Sequence, residues 1–240
     1  MTATPTEITR DRGPLISAIR DDPQSFECAQ ALAVHECAHL CAIVALYGPE
    51  AVRFIELVSY DEGFSLNGRN RIRRPPVAVR ADGSDISGEA LISLSGEAGE
   101  AAILGRVTND SPHDQRSARA ISAGLVLAQI PHASFEEIGA KEAGGFGRLL
   151  QTVHPVDRPR FRREAQAVLA SLEAAAYQFV RLNRDWIALA AHRLLETTYL
   201  DSEAIIALAA QKPVLWLSGK PVPAIGFAPL RWDSPVGGGS

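Results

Sequence analysis

The chain has few cysteines: three in 240 residues, at positions 28, 37 and 41. Their odd number, and the lack of any paired CxxC spacing, exclude a disulfide framework and a cysteine-rich zinc ribbon, and suit a reducing compartment. No excess of one charge is present either. Lys and Arg total 24 against 28 Asp and Glu, a formal charge of −4, so nothing global draws the protein to nucleic acid or to an anionic membrane. The amino-terminal stretch MTATPTEITRDRGPLISAIRDDPQ carries scattered charges and no apolar core of signal-peptide length. No later window reaches the ~18 uncharged apolar residues of a membrane span. These features read as a cytoplasmic protein without nucleic-acid or membrane partners. A GxxxxGK phosphate loop is also missing, and GGFG at 144–147 has no strand before it and no Lys-Ser/Thr after it.

With 46% apolar residues over this length, the chain can build one sizeable core. Residues 1–24 hold Pro5, Pro14 and Pro23 and read as a flexible arm with one short helix around Leu15–Arg20. A strong helical pattern runs from Phe26 to Tyr47, stopped by Gly48 and Pro49. AVRFIELVSY then reads as a strand, and DEGFSLNGRNRIRRPPV as a turn with an edge strand or hairpin arm. ISGEALISLSGEAGEAAILG returns to helix, with Ser95, Gly96, Ala98, Gly99, Ala101 and Ala102 allowing a second helix to come close and Gly105 ending it. A third helix is expected in SPHDQRSARAISAGLVLAQ, with Pro112 before its start and Asp114 as N-cap. Residues 131–159 read as irregular. Two long amphipathic helices, through FRREAQAVLASLEAAAYQFVRLN and RDWIALAAHRLLETTYL, follow, then a short one capped by Asp201. From Lys212 to 240 the chain reads as an extended Pro/Gly-rich tail, leaving 25–211 as the folded unit. The expected class is mainly α with a small β-sheet or hairpin.

The chemistry is concentrated in AVHECAHLCA, residues 33–42. Helix positions four apart lie about 40° apart around the axis, so His35 and His39 point the same way and can share one metal ion, with Glu36 about 100° round, beside the metal. In this HExxH spacing two imidazoles hold zinc and the carboxylate moves the proton of a hydrolytic water. Two buried helix histidines bonded to backbone or carboxylates would leave the same short pattern. Cys37 falls on the other side of the helix, one turn from Cys41, and both suit core filling. A catalytic zinc needs a third protein ligand. Glu97, Glu100, His113 and Asp114 are candidates, and spacing does not choose among them: Glu97 and Glu100 also fit a polar strip, and Asp114 also fits a plain N-cap. His132, His154 and His192 have no partner at metal spacing.

Three blocks in order, AVHECAHLCAIVALYG, LISLSGEAGEAAILGRVTNDSPHDQRSARAI and LAAHRLLETTYLDSEAIIAL, resemble the peptidase domain of the FtsH family of ATP-dependent zinc proteases, over about residues 28–210. The path through Gly96, Glu100, Gly105, Val107, Thr108 and Asp114 follows the family pattern without a gap. The resemblance implies an FtsH-like zinc metallopeptidase fold in which His35, His39 and Asp114 bind Zn2+, Glu36 is the general base and Glu100 supports the site from behind. It also implies a polypeptide substrate that pairs with the strand edge in VRFIELVSYDEGFSLNG. Two departures stand out. Cys37-Ala38 replaces the family's Ala-Gly, which implies a slightly different helix packing, and His113 replaces the Asn before the aspartate, offering a competing ligand. Lacking the family's ATPase module and membrane anchor, this chain would act on unfolded or flexible segments without ATP, or borrow a separate unfoldase. The same absence raises an alternative, a non-catalytic metal-containing module that binds peptide or protein. The Arg run at 69, 71, 73 and 74 suits a solvated edge that resists aggregation.

Overall fold

The computed structural model describes residues 21–60, 65–72, 84–108, 112–128 and 145–216, together with Ser17 and Ile19. The chain is mainly helical with one small antiparallel sheet. Helix α1 spans Pro23–Tyr47 and starts three residues before the expected Phe26. The Asp22 side chain accepts from the backbone N–H groups of Gln24 and Ser25, and Pro23 follows as the first helical residue, the pairing of an acidic N-cap with a donor-free N1. Gly48, at φ 81°, ends the helix with its N–H on the Val44 carbonyl. Every residue from Ala31 to Ala45 except Glu36 is buried, so α1 is apolar all round and occupies the centre of the fold. It is the one described helix long and apolar enough to cross a membrane, and 83% of its most apolar window lies inside the protein.

Strand β1 (Val52–Tyr60) pairs antiparallel with β2 (Ser65–Ile72) on one side and with β3 (Tyr199–Asp201) on the other. The inward residues are Val52, Ile55 and Leu57. Their break from strict alternation falls where the β1–β2 register shifts, between Val52 and Phe54, since one extra residue flips the side chains that follow. Strand β3 was not expected. The amphipathic pattern of the sequence runs through Leu200, but the helix stops at Thr197, Thr198 turns left-handed at φ 56°, and the Thr198 carbonyl accepts from the Leu57 N–H at 2.9 Å.

Helix α2 (Ser84–Leu104) lies against α1, and α3 (Pro112–Ala128) against α2. Gly105, at φ 71°, follows the end of α2 as expected. Pro112 is the first residue of α3, so Asp114 sits in the first turn and is not the N-cap. The stretch read as irregular contains α4 (Gly145–Thr152), and α5 (Arg158–Leu182) begins inside it. Glycines 145 and 147 mask α4 in the sequence. Burial of Leu149 and Leu150 in a small second core with Ala123, Val126 and Phe161 offsets their helix cost. Helices α6 (Arg184–Thr197) and α7 (Ser202–Gln211) are the last described elements, with Asp201 capping α7 through the Ala204 N–H. Beyond α7, Val214 is buried and Asn183, at the α5–α6 junction, exchanges two hydrogen bonds with the Leu215 backbone. This anchors the start of the expected tail; residues 217–240, residues 1–16 of the arm, and His132 lie outside the described residues.

Candidate metal centre

His35 and His39 stand one turn apart on the buried middle of α1, 3% and 7% exposed. Each is held from behind. His35 Nδ1 lies 2.8 Å from Glu100 Oε1 on α2, and His39 Nδ1 lies 2.6 Å from the Ile92 carbonyl oxygen. A carbonyl only accepts, so His39 carries its proton on Nδ1 and leaves Nε2 as a bare lone pair; the Glu100 carboxylate selects the same tautomer for His35. Glu100 is fully buried, and its second oxygen accepts from both the N–H and the hydroxyl of Thr108, at 2.6 and 2.7 Å. These bonds offset the cost of enclosing its charge.

The two Nε2 atoms face each other at 3.0 Å, and Asp114 Oδ2, from the first turn of α3, lies 3.5 Å from one and 3.4 Å from the other. Ligands bound about 2.0 Å from a tetrahedral zinc stand roughly 3.3 Å from one another, so the triangle has the right size for His35, His39 and Asp114 to hold such an ion. Its chemistry fits equally well. Three electron-pair donors converge in a largely buried place, an arrangement that is repulsive unless a cation sits among them. A proton is the smallest candidate. Burial opposes charging His35, but the Asp114 and Glu100 carboxylates, helped by Glu36, outweigh it and push its pKa up to about 9.

Glycines let α2 come this close. A Cβ at Gly96 would lie 2.5 Å from His35 Nε2 and 2.6 Å from His39 Nε2. A Cβ at Gly99 would lie 2.6 Å from the Ala38 methyl, and this is how the helix crossing accommodates Ala38. Cys37 and Cys41 are wholly buried, and burial holds both thiols well above the usual range, as befits core residues.

Glu36 is partly buried beside the triangle. Burial raises its pKa, against the pull of the His39 and His35 imidazoles and with the push of Asp114. Glu97 is apart from the triangle and accepts from the Gln115 side chain at 3.0 Å. His113 points outward, 84% exposed, with Nδ1 3.9 Å from Asp114 Oδ1. The His154 side chain is exposed, and exposed His192 pairs with Glu196. Sequence reasoning missed two supporting contacts, the Ile92 carbonyl and the Thr108 latch, and, apart from the triangle, the Glu97–Gln115 bond. Only Thr108 carried a signal, as part of the Val-Thr pair, and its role needed the loop geometry to become visible. Comparison with protein-family models and with curated proteins finds no match.

Proposed function

We propose that the chain is a zinc-dependent metalloendopeptidase, similar to the FtsH peptidase domain, that hydrolyses peptide bonds in unfolded or flexible polypeptide segments without ATP. The observation that carries this reading is the convergence of His35 Nε2, His39 Nε2 and Asp114 Oδ2, with both Nδ1 atoms engaged elsewhere and a carboxylate, Glu36, next in line on the same helix. Zinc bound there would supply Lewis acidity, polarising the scissile carbonyl and acidifying an attacking water. Glu36 accepts the proton of that water and returns it to the leaving amine. Its partly buried setting makes the ionised carboxylate a stronger base than one in bulk water. Glu100, latched by Thr108, fixes the His35 ring and its tautomer, and the Ile92 carbonyl does the same for His39. The antiparallel sheet next to α1 offers an edge on which an extended segment can add as a strand.

Zinc-loaded protein incubated with an unfolded polypeptide, without ATP, is expected to produce new peptide ends by mass spectrometry. The Glu36→Gln variant should bind zinc equally and cleave at least about a hundredfold more slowly. Absence of cleavage by the parent with zinc bound would transfer the reading to a non-catalytic peptide-binding module, or to a chain that needs a separate unfoldase.

A further inference from the structure

Away from α1, helix α2 faces a cleft of about 350 Å3 shared with α3 and α5. Its floor is aliphatic, formed by Leu94, Ala101 and Leu169, and at its mouth Val107 and Tyr177 are 49% and 43% exposed. Two carboxylates, Glu97 and Glu173, also line it. Glu173 has no hydrogen-bond or ion-pair partner among the described residues, and Glu97 uses one oxygen for Gln115. Among the described residues lining it the one guanidinium is Arg119, which donates to Gln115 Oε1 at 3.4 Å, toward the same Gln115 that holds Glu97. An apolar trough with surplus negative charge at its rim and a tyrosine at its mouth is complementary to one common kind of group. A long aliphatic stem would cover the floor while its cationic head met the carboxylates and the Tyr177 ring.

We infer that this cleft is a binding subsite for a lysine or arginine side chain of the polypeptide on which the protein acts. The inference rests on the peptidase reading for the identity of that polypeptide, but the cleft's preference for a cation does not. The cleft also shares short chain segments with the metal centre. Glu97 follows Gly96, which presses on both ligating imidazoles; Val107 precedes the Thr108 latch; Gln115 follows Asp114. A basic side chain seated here would hold the rest of its polypeptide against α3, which carries Asp114, and α2, which packs on both imidazoles, raising its local concentration near the metal centre.

The test uses the full chain, zinc-loaded and carrying Glu36→Gln so that binding is read without cleavage. The probes are short, end-blocked Gly/Ser peptides with one central Lys, Leu or Glu. NMR titration is expected to show the Lys peptide binding roughly tenfold tighter than the other two, with the largest shifts at the amides of Glu97, Gln115 and Tyr177. Glu173→Lys, a change at an exposed position, should bring the Lys peptide down to the Leu peptide's affinity with zinc content and circular dichroism unchanged. Equal or tighter binding of the Leu peptide, absence of binding by all three, or a lysine preference that survives both Glu173→Lys and Glu97→Gln would overturn the inference. Lysine-selective binding with no cleavage of unfolded polypeptide by the parent would sink the peptidase reading alone. Cleavage indifferent to basic residues and to Glu173→Lys would sink the subsite alone.

Discussion

The two faces of α2 are built on opposite rules. Toward α1, Gly96 and Gly99 carry no side chain, so that backbone meets imidazole and methyl, and the polar groups there, Glu100 included, are hydrogen-bonded. Toward α3 and α5, Leu94, Ala98 and Ala101 leave a trough, and the charged groups on its rim are incompletely paired. The first face gains definition from exclusion and the second from space. A metal site needs donors fixed to within a few tenths of an ångström, which close packing supplies. A subsite for a flexible side chain needs room and an uncommitted charge.

The sharpest way to break this contrast is to add one heavy atom to each face. Gly96→Ala introduces a carbon within 2.6 Å of the Nε2 atoms of both His35 and His39, against buried side chains that cannot swing aside. Its expected effect is a fall in bound zinc from about one per chain to near zero by atomic absorption, with a loss of about 1–3 kcal/mol in urea unfolding. Enlarging Ala101 to Ser on the cleft side is expected to stay within ~0.5 kcal/mol and to keep the metal. Equal effects of the two changes would remove the distinction between the faces.

A second test exploits the charge trapped on the close-packed face. Without metal, His35 has a folded-state pKa raised from 6.5 to about 9, so the folded protein holds a proton that the unfolded chain releases near pH 6.5. The resulting stabilisation is fully present below about pH 6.5 and is lost as the pH rises through 9, amounting to about 3 kcal/mol. Urea midpoints of the metal-free protein should therefore fall between pH 6 and pH 9. Zinc uptake at pH 7.5 should release close to one proton per ion from His35, read in weakly buffered solution. A flat stability profile with no proton release would mean that the triangle is not closed by a cation.

Much of this was legible in the sequence wherever one residue type has one physical use. The long apolar run of α1, the stop at Gly48, the Asp201 cap, the i, i+4 pair of histidines and the strand-forming stretch at Val52–Tyr60 are local signals, and the mainly helical class with a small antiparallel sheet follows from them. What escaped depends on tertiary placement. Strand β3 is three residues long and is defined by its partner, β1. Helix α4 is held by a second core that its two glycines disguise. The choice between His113 and Asp114 is a matter of helix phase. With α3 starting at Pro112, Asp114 turns toward α1 and His113 toward solvent, whereas an N-cap assignment for Asp114 would have kept its carboxylate on its own helix. Glu97 and Glu100, three apart, are equivalent by spacing alone, and only the family resemblance singles out Glu100; the crossing with α1 sends Glu100 to His35 and Glu97 to the cleft.

The smallest expected effect concerns how the close-packed face is braced. Glu100 Oε2 receives two bonds from Thr108, one from the backbone and one from the hydroxyl. Thr108→Val removes only the second while keeping shape, so the carboxylate retains its backbone donor and its contact with His35. The expected result is a loss of a few-fold to about tenfold in zinc affinity by chelator competition, the low end of what supporting contacts to metal ligands contribute. Glu100→Gln, which also removes the negative charge behind His35, should cost more, toward a hundredfold. The order of the two variants carries the argument. If Thr108→Val weakened zinc as much as Glu100→Gln, the hydroxyl would be setting the ligand's geometry by itself. If neither moved the affinity, the His35 ring would be held by helix packing alone, and the glycine face would not need its polar brace.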